Sequence, residues 1–281
     1  MFLKALEKIC DNRSLTSLII KFAIINLDKI FKFKVHTLLK TNATLRPNYT
    51  YCTYHAAVLA KRLNHKSVSI IEFGVATGKG LLFLESIAKR ISKEVKINIE
   101  IYGFDLETGL LPPKDYKDLP YWFQPGFYKM KKKKLKKKLK YSKLIIVDVK
   151  KKVNDFLKNK KHAPIGAIFN DLDYYSSTTN SFKIFNSSNL KKYLPRIFLY
   201  FDDTVGTELE MYNDFSGELL AIKEFNFKYK NKKITQNQNL ISTSNEKWRY
   251  QIYFFHNFKH YDYNKFIGNE EQKNIIDNMN K

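Results

Sequence analysis

From residue 67 onward, the chain alternates short, continuous apolar runs with segments whose apolar residues return every three or four positions. Runs without polar alternation are expected of strands buried on both faces, and the longer period is that of the helices covering them. SVSIIEFG (67–74), INIEIYGFD (97–105), KLIIVDV (143–149), IGAIFND (165–171) and RIFLYFDD (196–203) read as five such strands. GLLFLESIAKRISK (80–93), VNDFLKN (153–159) and the segment after Ser177 read as helices. Near the end, KKITQNQNLIST and WRYQIYFFHNF read as a closing hairpin. This order predicts an α/β fold, a doubly wound and mostly parallel sheet with an antiparallel C-terminal hairpin at its edge.

Residues 1–45 follow a different pattern and read as an N-terminal helical extension of a domain spanning 46–281. No repeat or Pro/Gly/Ser-rich linker divides the remainder. Lys21, Asp28 and Lys29 break the N-terminal apolar stretches short of a spanning length, and no secretory cleavage pattern accompanies them, so no membrane span is expected. Two readings remain for this segment: a basic amphipathic helix lying on a membrane, or a helix packed on the domain or on a partner subunit of a homo-oligomer. Packing is the favoured one. The single low-complexity run is KMKKKKLKKKLKY (129–141). Its Leu135 and Leu139 are four apart, which suits a solvated helix with one apolar stripe, an anion-facing patch being the alternative.

Composition changes this picture in two respects. With 281 residues, 44% hydrophobic and 15% aromatic, the chain can bury a core and does not read as disordered. Its formal net charge is +23, yet only six of its 50 basic residues are Arg. A surface that reads phosphates or bases leans on the planar fork of Arg, so part of the excess reads as a compositional bias toward Lys. Nucleic acid, anionic membrane and acidic substrates stay open as less favoured partners. Cys10 and Cys52 make neither a disulfide framework nor a metal-binding spacing, which fits a reducing, cytoplasmic setting.

Candidate chemistry gathers where predicted strands end. Glu72-x-Gly74-x-x-x-Gly78-x-Gly80 joins the first strand to a helix, where glycines permit a tight turn and close approach of a ligand. Gly80 follows Lys79 where a nucleoside-triphosphate loop needs Ser or Thr, so Lys79 reads as a helix-start residue. Asp105 closes the second strand, where an acid can accept hydrogen bonds from ribose hydroxyls. Asp171, Asp173, Asp202 and Asp203 follow the fourth and fifth strands, on the side where ligands lie in such sheets. Converging carboxylates repel unless protons or a cation neutralise them, and oxygen-only ligands suit Mg²⁺, Ca²⁺ or Mn²⁺ rather than zinc. Helix caps and exposed turns are the plainer explanation.

IIEFGVATGKG, YGFD, FNDLDYYSST and LYFDD together resemble class I S-adenosylmethionine-dependent methyltransferases, particularly those akin to the macrocin O-methyltransferase group, over roughly residues 46–258. RPNYTY, GLLPPKDYKDLPYW and GELLAIKEFN resemble a less characterised bacterial branch. The resemblance implies a Rossmann-like fold with S-adenosylmethionine as cofactor. It implies that Glu72, Gly74 and Gly78 shape the pocket for the cofactor's methionine part and that Asp105 lies near its ribose. It further implies that Asp171, Asp202 and Asp203 hold a divalent cation such as Mg²⁺, with Asp173 as a further ligand, a supporting group or a base.

The expected reaction is O-methylation of a hydroxyl on a sugar, glycan intermediate or small metabolite, with Asp173 or His256 taking the proton. For a histidine placed like His256, a packed or surface role is the commoner one. Tyr174 and Tyr175 line the pocket or pack. The alternative is a nucleic-acid-binding protein, or an RNA methyltransferase, that docks phosphates through the Lys-rich segment.

Overall fold

The apolar runs form strands β1 (Ser67–Phe73), β2 (Asn98–Asp105), β3 (Lys143–Ile146), β4 (Ile165–Asn170), β5 (Tyr193–Phe201), β6 (Lys232–Gln236) and β7 (Ile252–Asn257). The computed structural model describes residues 15–146, 149–159, 161–243, 246–268 and 270–279. Helices α1 (Leu15–Phe31), α2 (Val35–Lys40) and α3 (Pro47–Arg62) precede the sheet, and α4 (Lys79–Val95) follows β1. Helices α5 (Lys132–Lys138), α6 (Val149–Asn159), α7 (Tyr175–Ser181), α8 (Gly217–Lys228), α9 (Gln238–Ile241), α10 (Lys247–Tyr250) and α11 (Glu270–Met279) complete the set.

The strands lie in one sheet in the order β3-β2-β1-β4-β5-β7-β6. β1 to β5 run parallel, and β7 is antiparallel to both β5 and β6. The chain is therefore a Rossmann-like, doubly wound α/β protein. Two boundaries differ from the sequence pattern. The third strand ends at Ile146 and Val149 already belongs to α6, residues 147–148 lying outside the described ones. The closing strands do not meet in a tight turn, because α9 and α10 fill their connection. Asn237 holds its base through a hydrogen bond to the Ile252 carbonyl at 2.9 Å.

Each central strand feeds two cores, which explains the missing polar alternation. Val68, Ile70, Ile99 and Ile101 pack with α3 and α4 on one face. Ile71, Phe73, Tyr102 and Phe104 pack with Phe156 of α6 and Phe225 of α8 on the other. Helix α3 starts at Pro47, whose missing N–H costs nothing in a first turn, and presents fully buried Ala56, Ala57 and Ala60 to the sheet. Helices α1 and α2 are tied to this body by Arg90 of α4. Its guanidinium donates to both Asp28 oxygens at 2.6 and 2.8 Å and to the Phe33 carbonyl at 2.7 Å. Val35 joins the same core as α3 and α4. No helix among the described residues is long and apolar enough to cross a membrane.

The connections reverse between β1 and β4, since β1 leads to β2 on one side while β4 lies on the other. At such a switch point, the loops leaving adjacent strands diverge and open a crevice beyond the strands' carboxyl ends.

Candidate active site

At this crevice the chain turns through Gly74 (φ 82°), Ala76 (φ 45°) and Gly78 (φ 79°) before entering α4 at Lys79. A Cβ at Gly74 would overlap the Asp171 backbone carbonyl, so β1 and β4 approach this closely only with glycine there. Asp105 braces the loop: one carboxylate oxygen accepts the N–H groups of Val75 and Ala76, each at 2.8 Å, and the other accepts that of Glu107 at 2.6 Å.

Glu72 lies beneath the loop. Tyr49 donates its hydroxyl to Glu72 Oε1 at 2.7 Å, while Oε2 is buried without a partner in the protein. Burial pushes the Glu72 carboxyl up to about 8, against the opposing effects of the Tyr49 hydrogen bond and Arg46. Raised to about 8, the carboxyl keeps its proton at neutral pH, so no bare charge is buried beneath the loop.

The acids after β4 and β5 converge. One oxygen from each of Asp171, Asp202 and Asp203 lies within 4.8 Å of the others. Asp171 is fixed by its N–H to the Phe73 carbonyl at 3.0 Å. Asp203 accepts the Asp173 N–H at 3.1 Å and the Tyr212 hydroxyl at 2.7 Å, and donates its own N–H to Glu218 at 2.9 Å. Tyr200 donates to Asp202. Asp173 sits at φ 61°, a left-handed conformation that Asp adopts more readily than most residues with a side chain. Burial first, then the neighbouring acids, raises the carboxyls of Asp171 and Asp173 well above the usual carboxylate range, and Asp203 is pushed up to about 7. The cluster thus favours protons or a cation over three bare charges.

Gly74, Asp105, Asp171, Asp173, Asp202 and Asp203 all line one cavity of about 510 Å³. Its other walls include Leu110, Trp122, Phe123, Tyr128, Tyr174 and Tyr212. Glu72 and Gly78 are absent from that lining. Gly78 lies under Leu135 of α5, whose side chain occupies the space a Cβ there would need. The Lys-rich run is therefore more than a solvated helix. Leu135 is buried against the loop, Lys132 pairs with Glu107 at 2.8 Å, and the N–H groups of Lys140, Tyr141 and Ser142 converge on Glu85.

Of the two tyrosines, Tyr174 lines the cavity and Tyr175 turns to Glu224 at 2.5 Å. His256 needs correction. It pairs with Arg196 at the start of β5 and bonds to Tyr263 at 2.9 Å, whereas the acids follow the end of β5. About six strand residues, roughly 20 Å, separate it from them, too far for proton transfer. The antiparallel direction of β7 causes this, because the end of β7 meets the beginning of β5.

Sequence reasoning missed Glu218, Tyr212 and Asp118. Glu218 is fully buried and holds the Asp203 turn; its acid beside Gly217 at the head of an apolar helix was the available signal. Asp118, 1% exposed, accepts from Lys114 N–H, Ser176 N–H and the Ser176 hydroxyl, tying the segment after β2 to α7. Nothing in local sequence marks a contact between positions so far apart.

No family model matches this chain, and no curated protein does. Solved structures do. CalS11, a calicheamicin methyltransferase, is 17% identical with a TM-score of 0.47, over 76% of this chain and 86% of that one. An O-methyltransferase from Bacillus cereus in complex with SAH is 11% identical with a TM-score of 0.38, over 83% and 96%. The plantazolicin methyltransferase BamL, also with SAH, is 10% identical with a TM-score of 0.38, over 90% and 96%. Likenesses this distant carry no argument about chemistry, which rests on the site itself.

Proposed function

We propose that this protein is an S-adenosylmethionine-dependent O-methyltransferase acting on a hydroxyl of a sugar, glycan intermediate or other small metabolite. One observation carries the reading: three convergent aspartates and a glycine loop braced by Asp105 open onto the same cavity. Methyl transfer requires the acceptor oxygen in line with the donor carbon, and a single cavity gives both reactants one address. S-adenosylmethionine supplies an activated methyl group on a sulfonium. In this reading, Gly74 lets the cofactor approach the backbone, while Glu72, outside the cavity lining, supports the loop from beneath through Tyr49.

Asp171, Asp202 and Asp203 are the residues that would hold a divalent cation, which would lend Lewis acidity to an acceptor hydroxyl. Asp173, on the same cavity wall, takes the hydroxyl proton; Tyr128, Trp122 and Tyr212 shape the acceptor's space. Within the basic run, Leu135 and Lys132 pack on and beside the loop, whereas Lys133, Lys134, Lys136 and Lys137 are exposed.

Calorimetric titration with S-adenosylhomocysteine and, separately, with Mn²⁺ tests the reading. Both should bind, and Asp202→Asn should weaken Mn²⁺ by about tenfold or more while leaving the nucleoside's affinity nearly unchanged. Failure of S-adenosylhomocysteine to bind would remove the enzyme class. Failure of Mn²⁺ alone would remove only the cation.

A further inference from the structure

Helix α1 is turned inside out relative to an ordinary surface helix. Three of its polar residues face the protein: Ser17 is buried, Lys21 pairs with Glu246 at 2.7 Å, and Asp28 pairs with Arg90. Its apolar residues face away, Leu18, Ile19, Phe22, Ile30 and Phe31 being 56% to 74% exposed. At 100° per residue, the first four fall within an arc of about 120°, which Asn26 and exposed Lys29, bonded to each other at 2.9 Å, share with them. An exposed strip of this kind marks an interaction surface.

At the end of the strip, an open cleft of about 840 Å³ lies between α4 and the chain joining α1 to α2. Lys32, Lys34, Lys89 and Lys93 line it, with Phe33 and Tyr54. The lining acid, Glu94, already accepts the N–H groups of Val35 and His36, at 2.6 and 3.3 Å, and Arg90 is engaged by Asp28. The cleft therefore presents net positive charge beside an apolar helix.

We infer that α1 and this cleft form a docking surface for an anionic phospholipid bilayer. The helix lies in the plane of the interface, its apolar strip below the headgroups and the lysines against their phosphates. Charge selects this occupant over a second copy of the chain, because a two-fold contact through α1 would bring lysine clefts together on two molecules of net charge +23. The surface uses none of the residues of the proposed active site.

Flotation with phosphatidylcholine vesicles, with and without phosphatidylglycerol, tests it. The protein should float with the anionic vesicles only, and added salt should release it. Phe22→Glu with Ile30→Glu should weaken binding by about tenfold or more, as should Lys32→Ser with Lys93→Ser, with melting temperatures unchanged because all four side chains are exposed. Lys133→Ser with Lys136→Ser, on α5, should leave binding intact. The inference is overturned by absent flotation, by an equal loss with the α5 pair, or by a sedimenting dimer that the Phe22 and Ile30 substitutions dissolve.

Discussion

At the scale of single residues, Gly74 and Glu72 show how the site is held. Gly74→Ala places a methyl group against the Asp171 carbonyl at a φ that disfavours side chains. It should destabilise the protein by about 3 kcal/mol, read by urea denaturation, and abolish S-adenosylhomocysteine binding. Glu72 gives a pH dependence of defined sign. Its carboxyl ionises near 4.5 when unfolded and near 8 when folded, so between those values the folded state holds a proton that the unfolded state has lost. Its contribution is full below about 4.5 and is lost as pH rises through about 8. Glu72→Gln should therefore gain stability relative to the parent between pH 5 and 8.5, measured without ligand.

At the scale of elements, α5 and the segment joining it to β2 form a cover whose parts are separable. Leu135 closes over Gly78, while the neighbouring lysines 133, 134, 136 and 137 are exposed. Leu135→Ala should cost about 2 kcal/mol or more and alter the affinity for S-adenosylhomocysteine, whereas neutralising Lys133 and Lys136 should leave that affinity unchanged. Asp118→Ala removes the acceptor for two N–H groups and one hydroxyl. It should loosen the wall bearing Trp122 and Phe123, seen as faster amide exchange across residues 110–123 with β1 and β4 unaffected. The central strands were legible because each buries both faces. The link between β6 and β7 was not, since α9 and α10 are too short to leave a periodic signature.

At the scale of the whole molecule, ligand binding and folding are one linked equilibrium. S-adenosylhomocysteine at about a hundredfold over its dissociation constant should add about 2.7 kcal/mol of stability, a rise of several degrees in melting temperature. Mg²⁺ added with it should give a further rise that chelator reverses and that Asp202→Asn lacks, because the cation relieves repulsion among Asp171, Asp202 and Asp203. The sequence by itself determined the layered α/β fold, the glycine loop and the acids at strand ends, because periodicity and turn chemistry are local and survive in one dimension. Only the tertiary structure decided which of those residues meet. It put Asp105 to work bracing the loop, set Leu135 over Gly78, brought Glu218 under Asp203 and sent His256 to the far end of the sheet. Each of these follows from strand order, strand direction and crossover, which join positions that local pattern leaves unconnected.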